Sequence, residues 1–137
     1  MINQPHGQTE ISVSGRILQV SYFGQFNLEG IASGLSKQRK VIESFNGEPF
    51  AVLIDDKNIQ GGTPEAYQAL EEFNQWVNSQ YMVAKAMLFK SNLQLKILDS
   101  LVDSRKDQNI KTFSDRKEAL RWLNSELTKA TNSTHHA

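Results

Sequence analysis

The chain has 137 residues, the size of one domain with a core of its own, and its 15 basic side chains balance 15 acidic ones. A zero net charge argues against a general nucleic-acid binder, whose affinity rests on neutralising phosphates, and the lack of cysteine excludes a disulfide framework, thiolate chemistry and a cysteine-based metal site. MINQPHGQTE has neither the basic start nor the apolar centre of a secretory signal, and no apolar run approaches the ~20 residues that span a bilayer; the expectation is a cytoplasmic protein whose only membrane contact would be peripheral to the inner membrane.

Residues 1–8 are polar, with Pro5 and Gly7, and read as a flexible N-terminus; His6 lies there and reads as inert. Ile11 and Val13, then Leu18, Val20 and Tyr22, alternate with polar residues around Ser14-Gly15, which predicts a hairpin at a sheet edge. Asn27 is a candidate N-cap for a helix whose stripe is Leu28, Ile31, Leu35, Ile42 and Phe45. Lys37, Arg39 and Lys40 lie mostly off that stripe and read as a solvated face, with a basic patch for an anionic partner as the alternative. Gly30 and Gly34 sit on one side of the helix, a spacing that permits close approach of another element or merely weakens the helix.

Phe50 to Ile54 is an unbroken apolar run, the pattern of a strand covered on both faces. Asp55 and Asp56 end it, and the stretch from Lys57 through Gly61 and Gly62 reads as a loop. Sites in open α/β sheets lie beyond the carboxyl ends of such strands. Thr63, Pro64 and Glu65 open the next helix, as cap, first helical residue and dipole partner. Its stripe, Tyr67, Leu70, Phe73, Trp76 and Val77, is rich in aromatic residues; it reads as core, or in part as the wall of an apolar groove. Tyr81 to Phe89 is a further strand, interrupted by Lys85. Asn92 begins a short helix on which Leu93, Ile97, Leu98 and Leu101 share a broad face, either a buried cover or a mobile amphipathic element. Residues 104–109, SRKDQN, read as a polar connection. Ile110 to Phe113 is a last strand, and Ser114 or Asp115 caps a last helix with the stripe Ala119, Leu120, Leu123 and Leu127. Residues 128–137 read as a flexible tail, in which His135 and His136 are too few and too terminal for a metal site. The predicted fold is α/β: a mixed, mostly parallel sheet of about five strands, an N-terminal antiparallel hairpin and about four covering helices.

This order resembles the STAS superfamily, and more closely its SpoIIAA-like branch of small bacterial proteins. The matching stretches are ISVSGRILQVSYFGQF, FAVLIDD, TPEA and FSDRKEALRWL, the last with Phe113, Asp115, Ala119, Trp122 and Leu123 in the positions of the family's closing pattern. The resemblance covers residues 9–127 as a single domain. It implies a regulatory binding module without catalysis or cofactor. Antagonists of anti-sigma factors in the superfamily switch by phosphorylation of a serine after the central strand; here Thr63 is the only hydroxyl in that stretch, and a helix-capping role is the better explanation of it than a phospho-switch. The SpoIIAA-like branch also resembles the lipid-carrying CRAL-TRIO domains at the level of fold.

Three functions follow as expectations. The first is a non-catalytic domain holding a small apolar ligand or lipid in a groove under mobile helices, with Tyr67, Phe73, Trp76, Leu93, Ile97 and Leu101 as its walls. The second is a protein-interaction module of the anti-sigma-factor-antagonist type using the Lys57–Thr63 loop, with Asp55, Asp56, Lys57, Gly61, Gly62 and Thr63 as its candidate contact residues. The third, an enzyme or receiver-like site around Asp55 and Asp56, is weakened because adjacent strand residues point to opposite faces. The residues carry no metal-ligand pattern and no nucleic-acid signature. Edge strands Ile11–Val13 and Ile110–Phe113 offer a route to a homodimer.

Overall fold

The computed structural model describes residues 4–134, so His135 and His136 lie outside the described residues. The chain forms strands β1 (Gln8–Ser14) and β2 (Ile17–Phe26), helix α1 (Leu28–Ser44), strand β3 (Phe50–Gly62), helix α2 (Pro64–Val77), strand β4 (Met82–Leu88), helix α3 (Asn92–Leu101), a 3₁₀ turn (Asp103–Asp107), strand β5 (Ile110–Phe113) and helix α4 (Arg116–Thr134). The strands lie side by side in chain order in one sheet. β1 and β2 are antiparallel, and β2 through β5 are parallel. This is the predicted mixed sheet with its hairpin at one edge. Gly15, at φ +58°, takes the first position of the two-residue turn that joins the hairpin.

Parallel neighbours must be joined by right-handed crossovers. Here every crossover steps the same way along the sheet, so α1, α2 and α3 all lie on one face. Their core joins Leu18, Val20, Tyr22, Phe50, Val52, Ile54 and Met87 of the sheet to Ile31, Leu35, Val77 and Leu98 of the helices. α4 follows the last strand and folds back over the other face, where Ala119 and Leu123 pack on Ile17, Ala51, Leu53, Ala84, Ala86 and Leu88. β3, covered on both sides, is buried from Phe50 to Asp56, as its unbroken apolar run predicts.

The stretch expected as a loop, Lys57 to Thr63, is instead the second half of β3 as far as Gly62, with Thr63 the cap of α2. It continues as strand because β2 is also longer than expected and pairs with it, Phe23 against Asn58 and Phe26 against Gly62. The pairing is irregular. Ser21 faces Asp55 and Phe23 faces Asn58, so Asp56 and Lys57 together oppose Tyr22 in a β-bulge; Gln60 is a second extra residue. β4 carries an extra residue at Val83, between the Phe50–Met82 and Ala51–Ala84 pairs.

The glycines of α1 serve close approach. A Cβ on Gly30 would lie 1.7 Å from the His6 carbonyl oxygen, and one on Gly34 would lie 2.3 Å from Thr9 Oγ1. The N-terminal segment therefore crosses this side of α1 in backbone contact. Asn27 fixes the crossing: its Oδ1 accepts from the N–H groups of Gly30 (2.9 Å) and His6 (2.8 Å), and its amide donates to the Gln4 carbonyl (2.8 Å).

Candidate functional site

A partly open cavity of about 120 Å³ lies between the sheet and α1, α2 and α3. That is roughly ten times the ~10–15 Å³ that one water requires. Its walls are apolar: Ile31 and Ile42 from α1, Tyr67, Leu70 and Phe73 from α2, Ile97 and Leu98 from α3, with Val52, Ile54 and Met87 from the sheet. Its floor is not. Asp56, Lys85, Asn74, Tyr22, Gln38 and Arg105 all reach it, and each is buried.

Local structure places each of these groups. The even-numbered residues of β3 face this layer, and the bulge opposite Tyr22 falls where Asp56 ends that series. In β4, the extra residue at Val83 lets both Met82 and Lys85 face the cavity, while Ala84 and Ala86 pack under α4. Arg105 sits on the 3₁₀ turn after α3. α2 grips that turn from both sides: Glu71 Oε1 accepts from the Ser104 N–H (2.7 Å), and Asn78 Nδ2 donates to the Ser104 carbonyl (3.1 Å).

The hydrogen bonding of the floor is incomplete. Gln38 donates to the Tyr22 hydroxyl (2.7 Å), and Lys85 Nζ donates to Asn74 Oδ1 (3.3 Å). Arg105 Nη1 pairs with Asp99 at the α3 rim (2.6 Å), and Nη2 lies 3.1 Å from the Met87 thioether. Asp56 Oδ1 and Arg105 Nε are buried without a partner. No ion pair among the described residues joins Asp56 to either cation. Burial dominates the ionisation here. It pushes the Asp56 carboxyl up to about 7, against the opposing pull of Arg105 and Lys85. It pushes the Lys85 ammonium down to about 7, helped by the Arg105 charge and resisted by Asp56. The hydroxyls of Tyr22 and Tyr67 are raised, first by burial and then by Asp56.

Of the groove residues read from sequence, Tyr67, Phe73 and Ile97 line the cavity. Trp76, Leu93 and Leu101 do not. Trp76 lies on the α1–α2 surface, under the Arg39 guanidinium at 4.4 Å. Helical spacing separates the faces of α3: Gln94 and Leu98 turn inward, Gln94 Nε2 donating to the Ile59 carbonyl (3.0 Å), while Leu93 and Leu101 are 66% and 51% exposed, with Ile97 at the rim. The residues grouped as a recognition loop are likewise dispersed. Asp55 faces α4, where Arg116 donates to Oδ2 at 2.9 Å, while Asp56 faces the cavity. Lys57 is exposed, Gly61 lines the cavity mouth, and Thr63 Oγ1 accepts from the Ala66 N–H at 3.2 Å as a helix cap. Sequence reading missed Lys85 and Arg105 as site residues. The interruption of an apolar strand was a usable signal for Lys85; Arg105, within a polar run, offered none.

Among solved structures, the chain is similar to an uncharacterized protein of the DUF3478 family with a SpoIIAA-like fold from Shewanella loihica PV-4. The TM-score is 0.66 at 16% identity, over 90% of this chain and 98% of that one. This is a SpoIIAA-like fold. An anti-sigma factor antagonist from Mycobacterium paratuberculosis matches it with a TM-score of 0.62 at 12% identity, over 87% of this chain and 95% of that one. No family model and no curated protein matches the chain. The likeness read from the hairpin, the central strand and the closing helix thus holds for the SpoIIAA-like fold. Among the described residues, no helix is long and apolar enough to cross a membrane, and no group of three or more His, Asp or Glu side chains is placed to hold a metal ion.

Proposed function

We propose that the protein is a non-catalytic regulatory binding domain that holds a small, largely apolar ligand between its sheet and helices α1 to α3. The observation that carries this reading is the partly open cavity, with Tyr67, Phe73 and Ile97 in its walls. Apolar walls with a few convergent polar groups are the usual make-up of a small-molecule site. Enzyme chemistry on paired carboxylates is disfavoured, because Asp55 and Asp56 serve opposite faces of β3. Native mass spectrometry of the purified protein, followed by denaturing extraction, tests the reading. A co-purifying apolar compound that is lost on Phe73→Asp supports it. A protein that neither carries such a compound nor takes up any apolar probe refutes it.

A second reading is a protein-interaction module in the cytoplasm. Its support is the anti-sigma factor antagonist from Mycobacterium paratuberculosis that shares the fold, together with the exposed apolar stripe Leu93, Ile97 and Leu101 beside the exposed end of β3. Here the contact surface is α3 with Lys57 and Gln60, a surface equally suited to a peripheral membrane contact, rather than the whole Asp55–Thr63 stretch. Partner capture that survives both Leu93→Glu and Lys57→Glu removes this surface from consideration.

A further inference from the structure

Resting on the ligand-holding reading, we propose that the cavity selects an apolar molecule with a single negatively charged end, a medium-chain carboxylate, whose head is taken by Lys85 and Arg105 on the floor. Lys85 and Arg105 both reach the cavity beside Asp56. Burial holds Lys85 and Asp56 each near 7, so below that value the floor carries a positive charge within otherwise apolar walls, and a bound anion favours the charged form of Lys85. The counter-ion of Arg105, Asp99, sits outside at the α3 rim and occupies only Nη1. The remaining donors outnumber the acceptors. Lys85 gives one of its three N–H groups to Asn74, and Arg105 Nε has no partner. A carboxylate accepts several hydrogen bonds at once and gains most from charged donors.

Asp56 stands beside this arrangement without a partner for Oδ1. In its protonated form it donates a hydrogen bond instead of repelling an anion, and burial favours that form. The charged and titratable groups around it are Tyr22 from β2, Asp55 from β3, Tyr67 from α2, Lys85 from β4 and Arg105 from the 3₁₀ turn. Lys85 on β4 and Arg105 on the 3₁₀ turn place the head group at the polar floor and leave the chain to the apolar walls, Phe73, Leu98 and Ile97 among them.

The test is a charge series on one chain length: octanoate, octan-1-ol and octylamine, titrated into the full-length protein by calorimetry at pH ~6, where Lys85 is charged and Asp56 protonated. Octanoate should bind about tenfold or more tightly than octanol, and octylamine most weakly. Lys85→Met, which keeps the length of the side chain and removes its charge, should abolish the preference for octanoate over octanol. Lys85→Gln provides a second uncharged variant in case the first does not fold. Octanol or octylamine binding as tightly as octanoate, or a preference that survives in the variants, overturns the proposal while the ligand-holding function stands. Failure of all three probes to bind overturns both.

Discussion

Burial holds the Asp56 carboxyl at about 7 against 3.8 for an ordinary aspartate, so between those values the folded protein keeps a proton that the unfolded chain has lost. A group with a raised folded value contributes stability fully below its unfolded value, and that contribution is lost as pH rises through about 7. Lys85 works in the other direction. Its ammonium is held at about 7 against 10.5, so the unfolded chain keeps the extra proton there, and stability rises with pH over that interval. Together the two groups predict a stability minimum near neutral pH. Asp56→Asn should remove the acid-side slope: the variant gains roughly 2–4 kcal/mol over the parent at neutral pH, and the gap closes toward pH ~4. Urea unfolding of both proteins across that range measures it. A gap that does not change with pH would mean that Asp56 is ionised in the fold throughout.

Within α1, two opposed effects meet at one atom. Glycine in a helix costs up to about 1 kcal/mol against alanine, so Gly30→Ala should help the isolated helix. In the folded protein the new methyl would lie 1.7 Å from the carbonyl oxygen of His6, a residue whose backbone N–H is tied to Asn27 Oδ1. Overpacking of this kind costs roughly 1–3 kcal/mol, and the steric effect wins. Gly30→Ala is expected to lower the melting temperature, and Gly34→Ala, which meets the side chain of Thr9, to lower it less. At α2 the effect is simpler. Thr63→Ala should cost about 1 kcal/mol through the lost cap, and Thr63→Asp should restore most of it; thermal melts of the single variants order them. These helices were legible in the sequence because caps and stripes are local patterns: Asn27, Thr63 and Asp115 each act at the helix start where their spacing placed them. The cavity floor was not. A bulge shifts which residues oppose each other, and neither the one at Asp56 nor the one at Val83 leaves a periodic trace. Arg105 lies buried in a turn that Glu71 and Asn78, far away in the chain, hold by the backbone of its neighbour Ser104.

Across the whole molecule, uniform right-handed crossovers put three helices over one face of the sheet and leave the other to α4. The crowded face must accommodate helices of very unequal anchoring. α1 buries Ile31, Leu35, Gln38 and Ile42, whereas α3 buries Leu98 alone and leaves Leu93, Ile97 and Leu101 exposed. Local opening is cheapest where the buried apolar contacts are fewest. α3 should therefore open far more often than its neighbours, and it borders the cavity through Gln94, Ile97 and Leu98. Hydrogen exchange should show α3 amides exchanging much faster than those of α1 or of β3, which is buried from Phe50 to Asp56. Octanoate, held beneath α3, should slow exchange in α3 selectively, because a ligand that binds only the closed form raises the free energy of opening. Gln94→Ala, which removes the bond to the Ile59 carbonyl, should speed α3 exchange and ligand release with little effect on global unfolding. If α3 proved as protected as α1, or if ligand slowed exchange evenly over the molecule, entry under α3 would be excluded.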